Sequence, residues 1–135
     1  MKSQKTNIYL TNFDQLSNIV IKSGTDFKLE LIRLNEKEEL NTNFSISVEK
    51  NAKVEIVIVD LSNRNSTIEG TVTLDDFSEA TLKLGALSDS ISHKKYILNV
   101  DQKGVKSKSL VSMLGVATDE SKLEFLGSTK IHKGA

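Results

Sequence analysis

The stretch "VEKNAKVEIVI", Val48 to Ile58, holds the whole architectural problem in eleven residues. An apolar residue is followed by polar ones, then by a small turn residue, then by Ala52 opening a run in which apolar and polar side chains alternate. The same phrase returns as "IKSGTDFKLEL" from Ile21, "LDDFSEATLKL" from Leu74, "VDQKGVKSKSL" from Val100 and "IHKGA" from Ile131. The residues that open each new run are Thr25, Ala52, Ala80, Val105 and Ala135, spaced by 27, 28, 25 and 30. A period of roughly 20 to 50 residues marks stacked arrays, in which each unit borrows a neighbour to cover its apolar face.

Alternation extends beyond these phrases, through Phe44-Ser45-Ile46-Ser47-Val48 and Thr71-Val72-Thr73-Leu74. A period of two predicts strands with one wet face, and Val, Ile and Thr favour extended backbone because branching at Cβ restricts their rotamers in a helix. The best helical candidates, Glu36 to Leu40 and Lys106 to Leu114, are short and have no sustained apolar stripe. The expected fold is therefore all-β, a β-solenoid with about two strands per coil. An antiparallel β-sandwich is the alternative, since evenly spaced strands suit that class too. Gly24, Asn51 and Gly104 fit the corners, because Gly takes left-handed backbone angles without steric cost and Asn tolerates them better than most residues.

A chain of 135 residues forms one domain, residues 1–135, with room for one core. Lys plus Arg number 18 and Asp plus Glu number 18, so no bulk positive field draws in nucleic acid or an anionic membrane. Cysteine is absent, which removes disulfides, thiolate nucleophiles and sulfur ligation of metals by this chain alone. The start, "MKSQKTNIYLTNFDQ", has no apolar signal-peptide core, and no apolar run reaches membrane-spanning length, so the expected location is cytoplasmic. The Asn43 and Asn65 glycosylation patterns then carry no weight, because that modification requires export.

From Lys95 onward the chain resembles the SufB/SufD family of iron-sulfur cluster assembly proteins. The resemblance is carried by "GVKSKSLVSMLGVATDESKLEFLGSTKIHKGA", with its Gly-Val-Lys opener, a strand reaching Leu-Gly, an Asp-Glu-Ser turn and a closing "LEFLGSTKIHKGA". The earlier "VEKNAKVEIVIVD" and "SEATLKL" share the family's looser rhythm. Such a resemblance implies a right-handed parallel β-helix serving as a scaffold beside a SufC-like ATPase and a SufB-like subunit. It also implies that the family's functional histidine and ATPase-docking helices lie beyond the matching segment, so that the chain reads as the N-terminal portion of a SufD-like scaffold. The competing expectation is a β-solenoid binding or adhesion module unrelated to iron.

No catalytic, cofactor-binding or metal-binding residue is assigned from the sequence. His132 stands where other phrases place Lys22, Glu49 and Gln102, all solvated polar residues. One imidazole also falls short of the three or four ligands that a zinc or iron site needs. His93 reads as a loop residue, and Asp89 beside it makes only a two-ligand set. The adjacent pairs Glu38-Glu39, Asp75-Asp76 and Asp119-Glu120 read as solvated corners, since neighbours in a strand or turn point apart and cannot converge on a substrate. No nucleophile elbow, phosphate loop or aromatic platform is present. Because "IHKGA" has the form of a turn into a further coil, unpaired strand edges are expected at that end, inviting a homo-oligomer by edge pairing.

Overall fold

The computed structural model describes residues 4–10, 18–33, 40–62, 64–88 and 92–133. Ten strands follow one another: β1 (Gln4–Leu10), β2 (Ile19–Ile21), β3 (Thr25–Arg33), β4 (Leu40–Val48), β5 (Lys53–Asp60), β6 (Ser66–Leu74), β7 (Glu79–Ser88), β8 (His93–Gln102), β9 (Lys108–Ala117) and β10 (Lys122–Ile131). Every recorded pairing is parallel and skips one strand, giving an odd sheet ordered β1-β3-β5-β7-β9 and an even sheet ordered β10-β8-β6-β4-β2. The chain thus coils, laying one strand in each sheet per turn. This is the β-solenoid that the repeated phrase predicts, and no antiparallel sandwich could produce these pairings. Among the described residues there is no helix. The Lys106 to Leu114 candidate lies largely in β9, and the Glu36 to Leu40 candidate falls outside the described residues except for Leu40, which opens β4.

Alternation becomes burial directly. Along β5 the inward residues Val54, Ile56, Ile58 and Asp60 are buried while Lys53, Glu55, Val57 and Val59 face outward. Because the strands are in register, each inward side chain rests on its counterpart one coil away, as in the column Leu29, Ile56, Leu82 and Val111. Burying each such aliphatic side chain contributes about 1.5–3 kcal/mol. Outward charges of opposite sign meet between coils, with Lys53 Nζ 3.4 Å from Glu79 and Lys28 Nζ 3.8 Å from Glu55.

The corners leading into the odd sheet share one turn. A backbone N–H donates to the carbonyl three residues earlier at Thr25, Ala52, Ser78 and Ser107. The third residue of each turn, Gly24, Asn51, Phe77 or Lys106, has φ between 53° and 76°. The equivalent openers are therefore Thr25, Ala52, Ser78 and Ser107, and the phrases starting at Leu74 and Val100 mislead by two residues in opposite directions at Ala80 and Val105. Gly104 is not the left-handed residue. It begins the fourth turn, and a Cβ there would collide with the backbone of Asp75 and Asp76 in the preceding coil. That coil takes one residue more between Gln102 and Ser107 than its predecessor takes between Leu74 and Ser78. Ala135 lies outside the described residues.

Side-chain volume is traded within columns. Phe44 sits in register with Gly70, which in turn faces Leu98, and a Cβ on Gly70 would enter the Phe44 ring. Gly70→Ala is therefore expected to lower stability by about 1–3 kcal/mol in urea denaturation, through overpacking. Combined with Phe44→Leu, the loss should be smaller than the sum of the two single losses. Lys106→Gly, which removes a Cβ penalty at a solvated left-handed position, should raise stability by about 0.5–1 kcal/mol, read as a higher urea midpoint.

Candidate functional site

The inward phase of β5 and β8 carries residues that no greasy core would choose. Following β5 inward gives Val54, Ile56, Ile58 and then Asp60; following β8 gives Lys94, Tyr96, Leu98 and Val100. The coil brings them together at the corner where the odd sheet hands over to the even one. Asp60 Oδ1 accepts from the Ser62 backbone N–H (3.1 Å) and hydroxyl (2.7 Å), while Oδ2 accepts from the hydroxyls of Ser66 (2.8 Å) and Tyr96 (2.5 Å). The Lys94 ammonium lies 3.4 Å from Asp60 Oδ1 and donates to the carbonyls of Ser62 and Leu87. Both charged side chains are fully shielded from solvent.

Asp60 belongs to β5 and Lys94 to β8, so the pair crosses from one coil to the next. Its polar seam continues into the following coil, where the Ser88 hydroxyl donates to the Ser92 carbonyl at 3.0 Å and the Ser121 hydroxyl to the Ser88 carbonyl at 2.8 Å. The Tyr96 ring leans on Phe125 with centroids 5.7 Å apart. Among the described residues, no buried side-chain nitrogen or oxygen is left without a partner. Such a sealed and satisfied cluster presents nothing to a substrate. It acts as an ionic clamp between coils.

The residues singled out in the sequence are scattered. His93 is the first residue of β8 rather than part of a loop, and its N–H is received by Asn65 Oδ1 at 2.8 Å. His132 continues the backbone ladder, donating its N–H to the Gln102 carbonyl. Its counterparts one, two and three coils back are Lys103, Asp75 and Glu49, which donate to the Leu74, Val48 and Ile21 carbonyls in the same way. The phrase alignment thus holds at Glu49 and is one residue off at Gln102, which stands in register with Ile131 instead. His132 Nε2 also lies 2.5 Å from Asp101 Oδ1 on the outer face. Asp75, Asp76, Asp119 and Glu120 occupy corners, as expected. Asp89 and the Glu38-Glu39 pair lie outside the described residues. Among the described residues, no three His, Asp or Glu side chains converge as metal ligands.

Asp60, Lys94 and Tyr96 escaped selection as sites. Their one sequence signal is phase, since each is polar where its run is otherwise apolar. Burial alone would push the Asp60 carboxyl up, but hydrogen bonds from Tyr96, Ser62 and Ser66 and the Lys94 charge outweigh it and hold the group below its usual 3.8. A lowered folded-state value means that this contribution is fully present above the unfolded value and is lost as pH falls through the folded one.

Residues 6–135 match the family model described as "SUF system FeS cluster assembly, SufBD core domain". No curated protein and no solved structure matches the chain.

Stability should therefore decline on acidification below about pH 4, and Asp60→Asn should flatten that decline in urea titrations run across the acid range. Lys94→Met leaves a buried carboxylate without its cation and should cost about 3–5 kcal/mol at neutral pH. Adding Asp60→Asn to it should recover part of that loss.

Proposed function

Because the chain belongs to the SufB/SufD family of the SUF system for iron-sulfur cluster assembly, we propose that it is a non-catalytic scaffold of that system, working through protein contacts with a SufC-like ATPase complex. The observation that carries this reading is the family match across nearly the whole chain, residues 6–135, on a solenoid of the kind the resemblance implied. The donor set agrees with it. Residues 1–135 contain no cysteine, and the interior charges are spent on each other, so in this reading the cluster is cargo to which these residues supply no thiolate.

A SufB-like subunit is the direct partner in this reading, met along the strand edges, and the ATPase joins through it. The edge strands β9 and β10 are each ten residues long, and the half-buried Val111, Met113, Leu123 and Phe125 lie on their inner faces. Such edges and half-covered apolar side chains favour association, by a SufB-like strand or by a second copy. The setting is cytoplasmic. No helix among the described residues is long and apolar enough to cross a membrane. The adhesion-module alternative has no observation in its favour.

The test is reconstitution from purified components. This chain should co-elute with a SufB-like subunit on size exclusion at micromolar concentration, and a SufC-like ATPase should be retained only when that subunit is present. Failure to retain the SufB-like subunit at tens of micromolar overturns the reading.

A further inference from the structure

The outer face of the odd sheet carries two kinds of column side by side. Near the strand starts, Asp26, Lys53, Glu79 and Lys108 stand in register, alternating in charge from β3 to β9. Near the strand ends, Ile32, Val59, Gly85 and Leu114 stand in register and form an apolar column. Val116 in register with Leu87, and Leu61 just past β5, widen it. Ile32 is 53 % exposed, Val116 56 % and Leu114 77 %. Isolated exposed apolar residues need no explanation, but an apolar column across four strands, exposed at Ile32 and Leu114 and half-buried at Val59 between them, marks an interaction surface. Gly85 forms a notch in its middle, because a Cβ built there would meet nothing within 4 Å.

We propose that this face is a docking surface for a second copy of the same chain, the two odd sheets packing face to face about a two-fold axis that runs along the strands midway between β5 and β7. Such an axis preserves strand direction and reverses coil order. Each column then meets itself inverted, as an isologous contact requires. Asp26 faces Lys108 of the other copy, and Lys53 faces Glu79, so each charge from β3 to β9 meets its opposite, while β1, with Lys5 in register with Asp26, lies outside the contact. In the apolar column Ile32 faces Leu114, and Val59 faces the open notch over Gly85. Of the inner columns, Val57 meets Lys83, whose aliphatic stem covers it.

The alternation of charge is what selects this partner. A column of one sign would repel its own copy, and a column ordered plus, minus, minus, plus would set like charges against each other at every contact. The order from β3 to β9 is complementary to itself under inversion and to no uniformly charged surface. Area agrees as well. Four strands at about 4.8 Å spacing and about 30 Å length offer roughly 600 Å² per copy, so the pair buries on the order of 1,200 Å² at most, near the lower bound for a specific interface.

This surface is the outer face of β3 to β9, whereas edge pairing uses the open backbone of β9 and β10; the charge variants on β5 and β7, away from that edge, separate the two. Sedimentation velocity on the 135-residue chain over a range of about 1–500 μM, wide enough to span the affinity of a small interface, should show a dimer, weakened at least tenfold by Leu114→Asp with unchanged circular dichroism. Lys53→Glu and Glu79→Lys should each be monomeric when alone, from like charges meeting across the axis. Mixed in equal amounts, these two variants should form a heterodimer, since both contacts across the axis then join opposite charges. The two substituted positions face each other, and the native Glu79 of one chain faces the native Lys53 of the other. Restored pairing on mixing cannot come from a change within one chain. A chain that stays monomeric throughout overturns the proposal. So does a dimer indifferent to Leu114→Asp, which would be edge-paired, or single-charge variants that fail to recombine.

Discussion

In-register parallel stacking governs everything else in this molecule, because it makes each strand residue the direct vertical neighbour of residues 21 to 29 positions away. A residue must fit not only its strand but its column. Phe44 is accommodated because Gly70 stands above it, and Leu98 can be large because Gly70 is not. Across the interior of the last described coil, between the two sheets, Gly115 makes room for Leu123 and Phe125, and Gly127 for Met113. On the outside it aligns charges, so that Lys53 finds Glu79 without either searching conformational space. Local composition therefore says little about stability here, and composition read down a column says a great deal.

The architecture was legible because alternation and period are both carried by residue type. The exact turn register was not. Its determinant is a backbone state, a left-handed third residue closing an N–H to carbonyl bond, and four different residue types fill it. Gly24 and Asn51 announce that state; Phe77 and Lys106 do not, and stacking against the neighbouring corner holds them there despite the Cβ cost. Gly104 misled for the opposite reason. It is a glycine by steric need, pressed on the Asp75 and Asp76 backbone, in a turn whose left-handed residue comes two positions later.

The buried cluster was legible in part. Phase shows that Asp60 and Lys94 point inward, but only coil register shows that they meet, since 34 residues, two whole strands and three corners separate them. Surface histidines draw attention first because imidazole is chemically versatile, yet His132 ends on an outward Asp101, while the interior charges went to structure. The reactive-looking groups of the interior are consumed in holding coils together.

The clamp also answers a problem that alternation creates. If β8 slipped two residues along β6, every inward side chain would remain inward, and the apolar columns would lose little contact; hydrophobic burial alone separates these registers weakly. The polar residues do not share that indifference. A two-residue slip carries Lys94 away from the Ser62 and Leu87 carbonyls and Tyr96 away from Asp60, leaving a shielded ammonium without its acceptors and a shielded carboxylate that keeps Ser62 and Ser66 but loses its cation and the tyrosine hydroxyl. An uncompensated buried charge costs several kcal/mol, far more than the pair contributes over an apolar replacement of the same shape. The value of Asp60 and Lys94 thus lies less in stabilising the correct stack than in penalising its nearest alternatives. One such pair at a single corner suffices, because the covalent chain transmits the chosen register to the coils on either side.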